Sequence, residues 1–111
     1  KKATSLNPKN ASSYNSLGEV YYKMGNLNES IINYKKAIEL QPTFWQAYNN
    51  LSLVYEEKGD IQPAIKICQK SISIEPKNPD AYNNLGVLYF KLKNYKRALE
   101  KIQKDIQIIQ R

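Results

Sequence analysis

Tyr48-Asn49-Asn50-Leu51-Ser52-Leu53-Val54-Tyr55 and Tyr82-Asn83-Asn84-Leu85-Gly86-Val87-Leu88-Tyr89 are nearly the same phrase, set 34 residues apart. A third copy, Tyr14-Asn15-Ser16-Leu17-Gly18-Glu19-Val20-Tyr21, stands another 34 residues upstream. In each phrase tyrosine, leucine and tyrosine fall at i, i+3 and i+7 with a small residue at i+4, the spacing of one helical face. The same step relates Pro8, Pro42 and Pro76, then Asn26, Asp60 and Asn94, then Ile38, Ile72 and Ile106. A period that organises this many positions makes the chain an array of one repeated unit.

Outward from the phrase, each period divides into two amphipathic helices. The first helix is expected to stop near Gly25, where a residue that accepts positive φ follows Met24. Asn26 is then placed to cap a second helix, with Glu29 three residues on as its capping-box partner. Ile31, Tyr34, Ala37 and Ile38 form the apolar stripe of that helix, which ends before Pro42 because proline has no amide hydrogen to continue it. Gly59 and Asp60 make the corresponding turn in the second unit, and Lys93 and Asn94 are expected to make it in the third. Asn78 and Pro79 read as a cap followed by a first-turn proline. Pro63 lies in a first turn, where it breaks nothing.

A 34-residue helix-turn-helix carrying Leu-Gly, Tyr, Ala and Pro in this order resembles the tetratricopeptide repeat. The matching residues are Tyr14, Leu17, Gly18, Tyr21, Tyr34, Ala37 and Pro42 in the first unit. In the second they are Tyr48, Leu51, Tyr55, Ala64 and Pro76, with Ser52 in place of the glycine. In the third they are Tyr82, Leu85, Gly86, Tyr89 and Ala98, while Asp105 takes the small-residue position and Gln110 the proline position. The resemblance implies an all-α fold, a right-handed α-solenoid of antiparallel helix-turn-helix repeats. The expected division is the second helix of a preceding repeat over 1–9, then repeats over 10–43, 44–77 and 78–111, the last without a separate capping helix. Lys1 to Pro8 aligns with Lys35 to Pro42, so the chain is expected to be part of a longer array, or to pair through its ends.

Composition narrows the function. The 111 residues are 41% hydrophobic and 24% charged, ordinary for a globular protein. No apolar run approaches the ~20 residues that span a bilayer, and no basic-then-apolar leader is seen. With no histidine and the one cysteine, Cys68, neither a transition-metal site nor a disulfide framework is expected. A single thiol suits a reducing compartment, and a cytoplasmic location is expected on that basis. No nucleophile stands with a base and no glycine-rich phosphate loop occurs, so no catalytic site and no cofactor are expected within these residues.

By the resemblance, the first helix of each unit lines a concave groove that holds a partner protein or an extended peptide. Asn15, Asn49 and Asn83 form one ladder along it, with Asn50 and Asn84 beside them. A carboxamide offers a donor and an acceptor, matching the two groups of each peptide unit in a bound strand. The arrangement resembles the asparagine-lined groove in the repeats of O-linked N-acetylglucosamine transferase. Tyr22, Leu53, Val87 and Phe90 are expected to add apolar anchors. The clamp by which related repeats hold chaperone carboxyl tails is absent: Asn15, Glu19, Asn50, Asp80 and Asn84 occupy its positions, only Asn50 matches, and two of the others are acidic. The net charge of +7 has its own ladder, Lys2, Lys36, Lys70 and Lys104, joined by Lys35, Lys66, Arg97 and Lys101. These lysines are expected to face outward from the second helices. A nucleic-acid partner is the first rival reading, weakened because no aromatic platform for bases accompanies the strip. Self-association through exposed end helices is the second.

Overall fold

The computed structural model describes residues 10–110, with side chains described through residue 107. The expected helix over 1–9, with Lys2 and Pro8, lies outside the described residues. Five helices follow one another: α1 (Ala11–Lys23), α2 (Leu27–Leu40), α3 (Trp45–Lys58), α4 (Ile61–Ile74) and α5 (Pro79–Gln110). Among the described residues there is no strand. Each helix packs on the next, and the first helices of adjacent units also touch, α1 on α3 and α3 on α5. This is an α-solenoid.

The helix ends follow from local chemistry. Asn10 caps α1 by accepting the Ser13 amide hydrogen at 3.2 Å, and Asn78 caps α5 by accepting that of Ala81 at 2.9 Å. Helices α1 and α3 stop in the same way. Gly25 and Gly59 turn left-handed at φ 82° and 88°. The amides of Asn26 and Asp60 then reach back to the carbonyls of Tyr21 and Tyr55, at 2.9 Å each. This glycine-centred closure satisfies carbonyls that the helix would otherwise leave unpaired.

Two sequence expectations are corrected here. Asn26 and Asp60 do stand at the starts of α2 and α4, but neither side chain makes a capping hydrogen bond. They follow the left-handed glycines directly, so the backbone closure sets where the next helix begins. The turn expected at Lys93 and Asn94 does not form, and α5 runs without interruption from Pro79 to Gln110. Position 93 is where Gly25 and Gly59 stand in the earlier units. A lysine there meets the Cβ penalty of the left-handed region, and no non-glycine residue among those described adopts positive φ. At 1.5 Å per residue α5 is about 48 Å long.

Inside the first hairpin, Gly18 lies against Tyr34 so closely that a Cβ on it would stand 2.7 Å from the ring. Ser30 ties the two helices by donating its hydroxyl hydrogen to the Gly18 carbonyl at 2.7 Å. In the second hairpin the hydroxyl changes helix: Ser52 on α3 donates to the Ala64 carbonyl on α4 at 2.9 Å. Cys68 stands in the place of Tyr34, and its thiol reaches the Ala81 carbonyl of α5 at 3.0 Å. Three apolar clusters run along the solenoid. Ala11, Ala37 and Ala47 gather around Tyr14 and Phe44, Ile31 and Tyr34 meet Leu51 and Val54, and Ile61, Ile65 and Cys68 meet Ala81 and Leu88. Leu51 is 2% exposed because α2 closes over it, whereas Leu17, its counterpart in the first unit, is 44% exposed. No described helix precedes α1 to cover it.

Candidate peptide-binding groove

The first turns of α3 and α5 enclose a cavity of about 370 Å³ lined by Trp45, Gln46, Asn49, Asn50, Leu53, Asp80, Asn83 and Asn84. Five of the nine sequence-predicted site residues meet here: Asn49, Asn50, Leu53, Asn83 and Asn84. They converge because residues 49, 50 and 53 occupy one face of α3 and Asp80, Asn83 and Asn84 share the facing side of α5. Asn15 joins from α1, its Oδ1 accepting a hydrogen from the Asn50 amide nitrogen at 3.2 Å. The asparagine ladder is thus partly tied to itself across the repeats.

Asn49 departs from its expected role. It forms the floor of the cavity but is only 6% exposed, and its carboxamide belongs to a buried network. Its nitrogen donates to Asn78 Oδ1 at 3.0 Å, while its oxygen accepts the Ser71 hydroxyl at 2.6 Å. Asn78 in turn donates to Ser71 Oγ at 3.0 Å. Such a closed network stabilises only when every member is satisfied, which makes Asn49 a structural residue rather than a presenter of hydrogen bonds to a ligand.

The apolar anchors divide. Leu53 is half-buried in the cavity. Tyr22 packs against the cluster of Ile31, Tyr34, Leu51 and Val54, while its edge lines a separate depression with Lys23 and Glu57. Val87 and Phe90 are exposed, and Phe90 lines a depression of about 440 Å³ with Tyr89, Leu92, Lys93 and Lys96. The structure therefore does not bring Tyr22 and Phe90 into the cavity. Trp45 lines it and was not singled out by sequence reasoning. Its position one residue before Gln46 on the first turn of α3 was the available signal.

An ion pair crosses the groove beyond Leu53. Lys91 of α5 meets Glu56 of α3 at 2.7 Å, and the hydrogen bond and charge of that carboxylate raise the lysine pKa above its ordinary value. In the interior, burial pushes the Tyr34 phenol up to about 12, and burial also raises the Cys68 thiol. Neither interior group is poised to react. Lys35, Lys36, Lys66, Lys70, Arg97, Lys101 and Lys104, expected to face outward, are exposed. Lys36 and Lys35 lie over the rings of Tyr14 and Tyr55, at 5.4 and 5.9 Å. Among the described residues no group of three or more His, Cys, Asp or Glu side chains converges as a metal would need. No described helix is long and apolar enough to cross a membrane.

Comparison with known proteins agrees with this architecture. A TPR-repeat family profile matches residues 1–25 and 20–59, and two tetratricopeptide-repeat profiles match residues 46–78 and 67–100. No curated protein sequence matches. The crystal structure of MamA is similar, with a TM-score of 0.74 and 31% identity over 90% of this chain. The match spans 63% of the MamA chain, less than two thirds of its length. On the repeat period, the stacked hairpins and these matches together, the chain belongs to the tetratricopeptide-repeat family.

Proposed function

We propose that the chain is a non-catalytic interaction scaffold that holds an extended segment of a partner protein across its concave face, seated in the cavity between α3 and α5. The observation that carries this reading is the lining of that cavity, where Gln46, Asn50, Asn83 and Asn84 stand beside Trp45 and Leu53. Carboxamides read the peptide backbone without regard to side chain, and Leu53 supplies an apolar contact of the kind that anchors an interface. Asp80 in the lining disfavours a carboxylate and favours a segment carrying lysine or arginine.

Peptides selected from a random phage library on the immobilised chain provide the probe. Fluorescence anisotropy then compares wild type with the Asn50→Ala/Asn83→Ala/Asn84→Ala variant. The expected result is a loss of affinity of about tenfold or more, roughly 1.4 kcal/mol, with unchanged helicity. Equal affinity for both proteins overturns the groove assignment. Asn49 is left intact because its loss would disturb the fold itself.

A further inference from the structure

The uninterrupted course of α5 lays out a seam that the hairpins of the earlier units do not have. In its first half, Ala81, Leu85, Leu88 and Leu92 are spaced 4, 3 and 4 residues apart and pack on the cluster of Ile61, Ile65 and Cys68 from α4. In its second half Tyr95, Leu99, Ile102 and Ile106 continue the same spacing without a break. A strict alternation of four and three is the heptad pattern by which two helices wrap around each other. Helix α4 covers only the first half. The four residues of the second half are between 48% and 57% exposed, on a segment whose side chains are all exposed from residue 93 to residue 107.

We infer that this second half is a self-association surface, on which residues 95–106 of two copies pair as an antiparallel two-stranded coiled coil. The occupant follows from charge and register. Arg97, Lys101 and Lys104 fall on the side of the helix opposite the seam, so they do not meet across it. The positions flanking the seam carry Lys96, Ala98, Gln103 and Asp105, with no block of like charge to oppose self-pairing. In an antiparallel pair Tyr95 faces Ile106 of the second copy, and Leu99 faces Ile102, so every layer is apolar. A parallel pair would bring Lys91 against Lys96 of the second copy. It would also place two chains of net charge +7 side by side, whereas the antiparallel pair holds them at opposite ends. The seam is a continuation of the α4–α5 interface, extended past the end of α4 and offered to another molecule.

Sedimentation velocity and light scattering on the full chain, from about 10 µM to about 1 mM, test the pairing over the affinity range of a short coiled coil. A mass rising from monomer to dimer is expected, and Ile102→Lys should hold the chain monomeric, with the same circular dichroism melt as wild type at a concentration where both are monomers. A wild-type monomer throughout, a mass above dimer, or a dimer that survives Ile102→Lys each overturns the proposal. Orientation is read by disulfide trapping in a Cys68→Ser background. Mixed Tyr95→Cys and Ile106→Cys chains should cross-link, while Tyr95→Cys alone should not, because its two thiols lie about 16 Å apart along the antiparallel pair. Cross-linking of Tyr95→Cys with itself overturns the antiparallel arrangement.

Discussion

Replacing Gly18 by alanine should destabilise the chain although alanine is the better helix former. Two effects oppose each other. Removing a glycine from a helix interior stabilises by up to about 1 kcal/mol. Against this, the added Cβ would stand 2.7 Å from two atoms of the Tyr34 ring and 2.9 Å from a third, where ordinary contact begins near 3.4 Å. The ring cannot retreat, because Ile31, Leu51 and Val54 pack around it in a buried cluster. The helices must therefore part, which also stretches the 2.7 Å bond from Ser30 to the Gly18 carbonyl. Overpacking of a rigid core site costs about 1–3 kcal/mol; with the ring pinned, the upper end applies. The net loss is about 2 kcal/mol, or roughly 8–16 °C in Tm for a domain of this size. Thermal melting followed by circular dichroism measures it. Gly86→Ala is the control, run at a concentration where the chain sediments as a monomer: nothing lies within 4 Å of a Cβ there, so the helix gain stands alone and Tm rises. A Gly18→Ala variant as stable as wild type would refute the account of the hairpin contact.

Other perturbations probe other parts of the same frame. Asn49→Ala strands Ser71 and Asn78 in the interior and should cost about 1–3 kcal/mol, while Asn50→Ala should change stability by no more than about 0.5 kcal/mol; denaturant titration of both checks the difference, and equal costs would contradict the division of labour between neighbouring asparagines. Cys68, fully buried and with its thiol raised by burial, should react with a neutral thiol reagent on the order of 100-fold more slowly in the native chain than in denaturant. Prompt labelling of the folded chain would mean that the α4–α5 interface opens readily. Lys91 is held charged by Glu56, so its link across the groove is complete below the ordinary lysine range and is lost as pH climbs through the raised folded-state value. An NMR titration of the Lys91 side chain should show a midpoint that Glu56→Gln lowers; an unmoved midpoint would deny the ion pair.

The period told most of the architecture, because the residues that stop α1 and α3 are glycines and a glycine at a repeat boundary has a local reason to be there. The same logic failed at position 93. Register alone put a turn at Lys93, yet the turn depends on a backbone conformation that register does not supply. The groove was legible in a similar measure. Asn50, Asn83, Asn84 and Leu53 converge because one helical face repeats, and no further information is needed. Asn49 occupies an identical place in the ladder and yet turns inward. Its partners, Ser71 and Asn78, stand where the preceding unit has Ala37 and Phe44. Around Asn15 those positions are apolar, and Asn15 pairs instead with Asn50. The difference was written in the sequence, but on the next helix and at the start of the one after it, at a separation that helical periodicity does not cover.

The hydroxyl tie that changes helix between the first two hairpins has a consequence for how a self-similar chain avoids pairing with the wrong copy of itself. If α1 closed on α4, Gly18 would face Ala64 and Cys68: no hydroxyl would join the helices, and the space that Tyr34 fills would be left hollow. If α3 closed on α2, the Ser52 side chain would collide with the Tyr34 ring where glycine leaves room. Helices α1 and α3 thus each fit one second helix, although the 34-residue pattern makes them look alike. The fit works as a keyed joint, rejecting slips by a whole repeat during folding, and the chain holds its order through differences that a consensus sequence would erase.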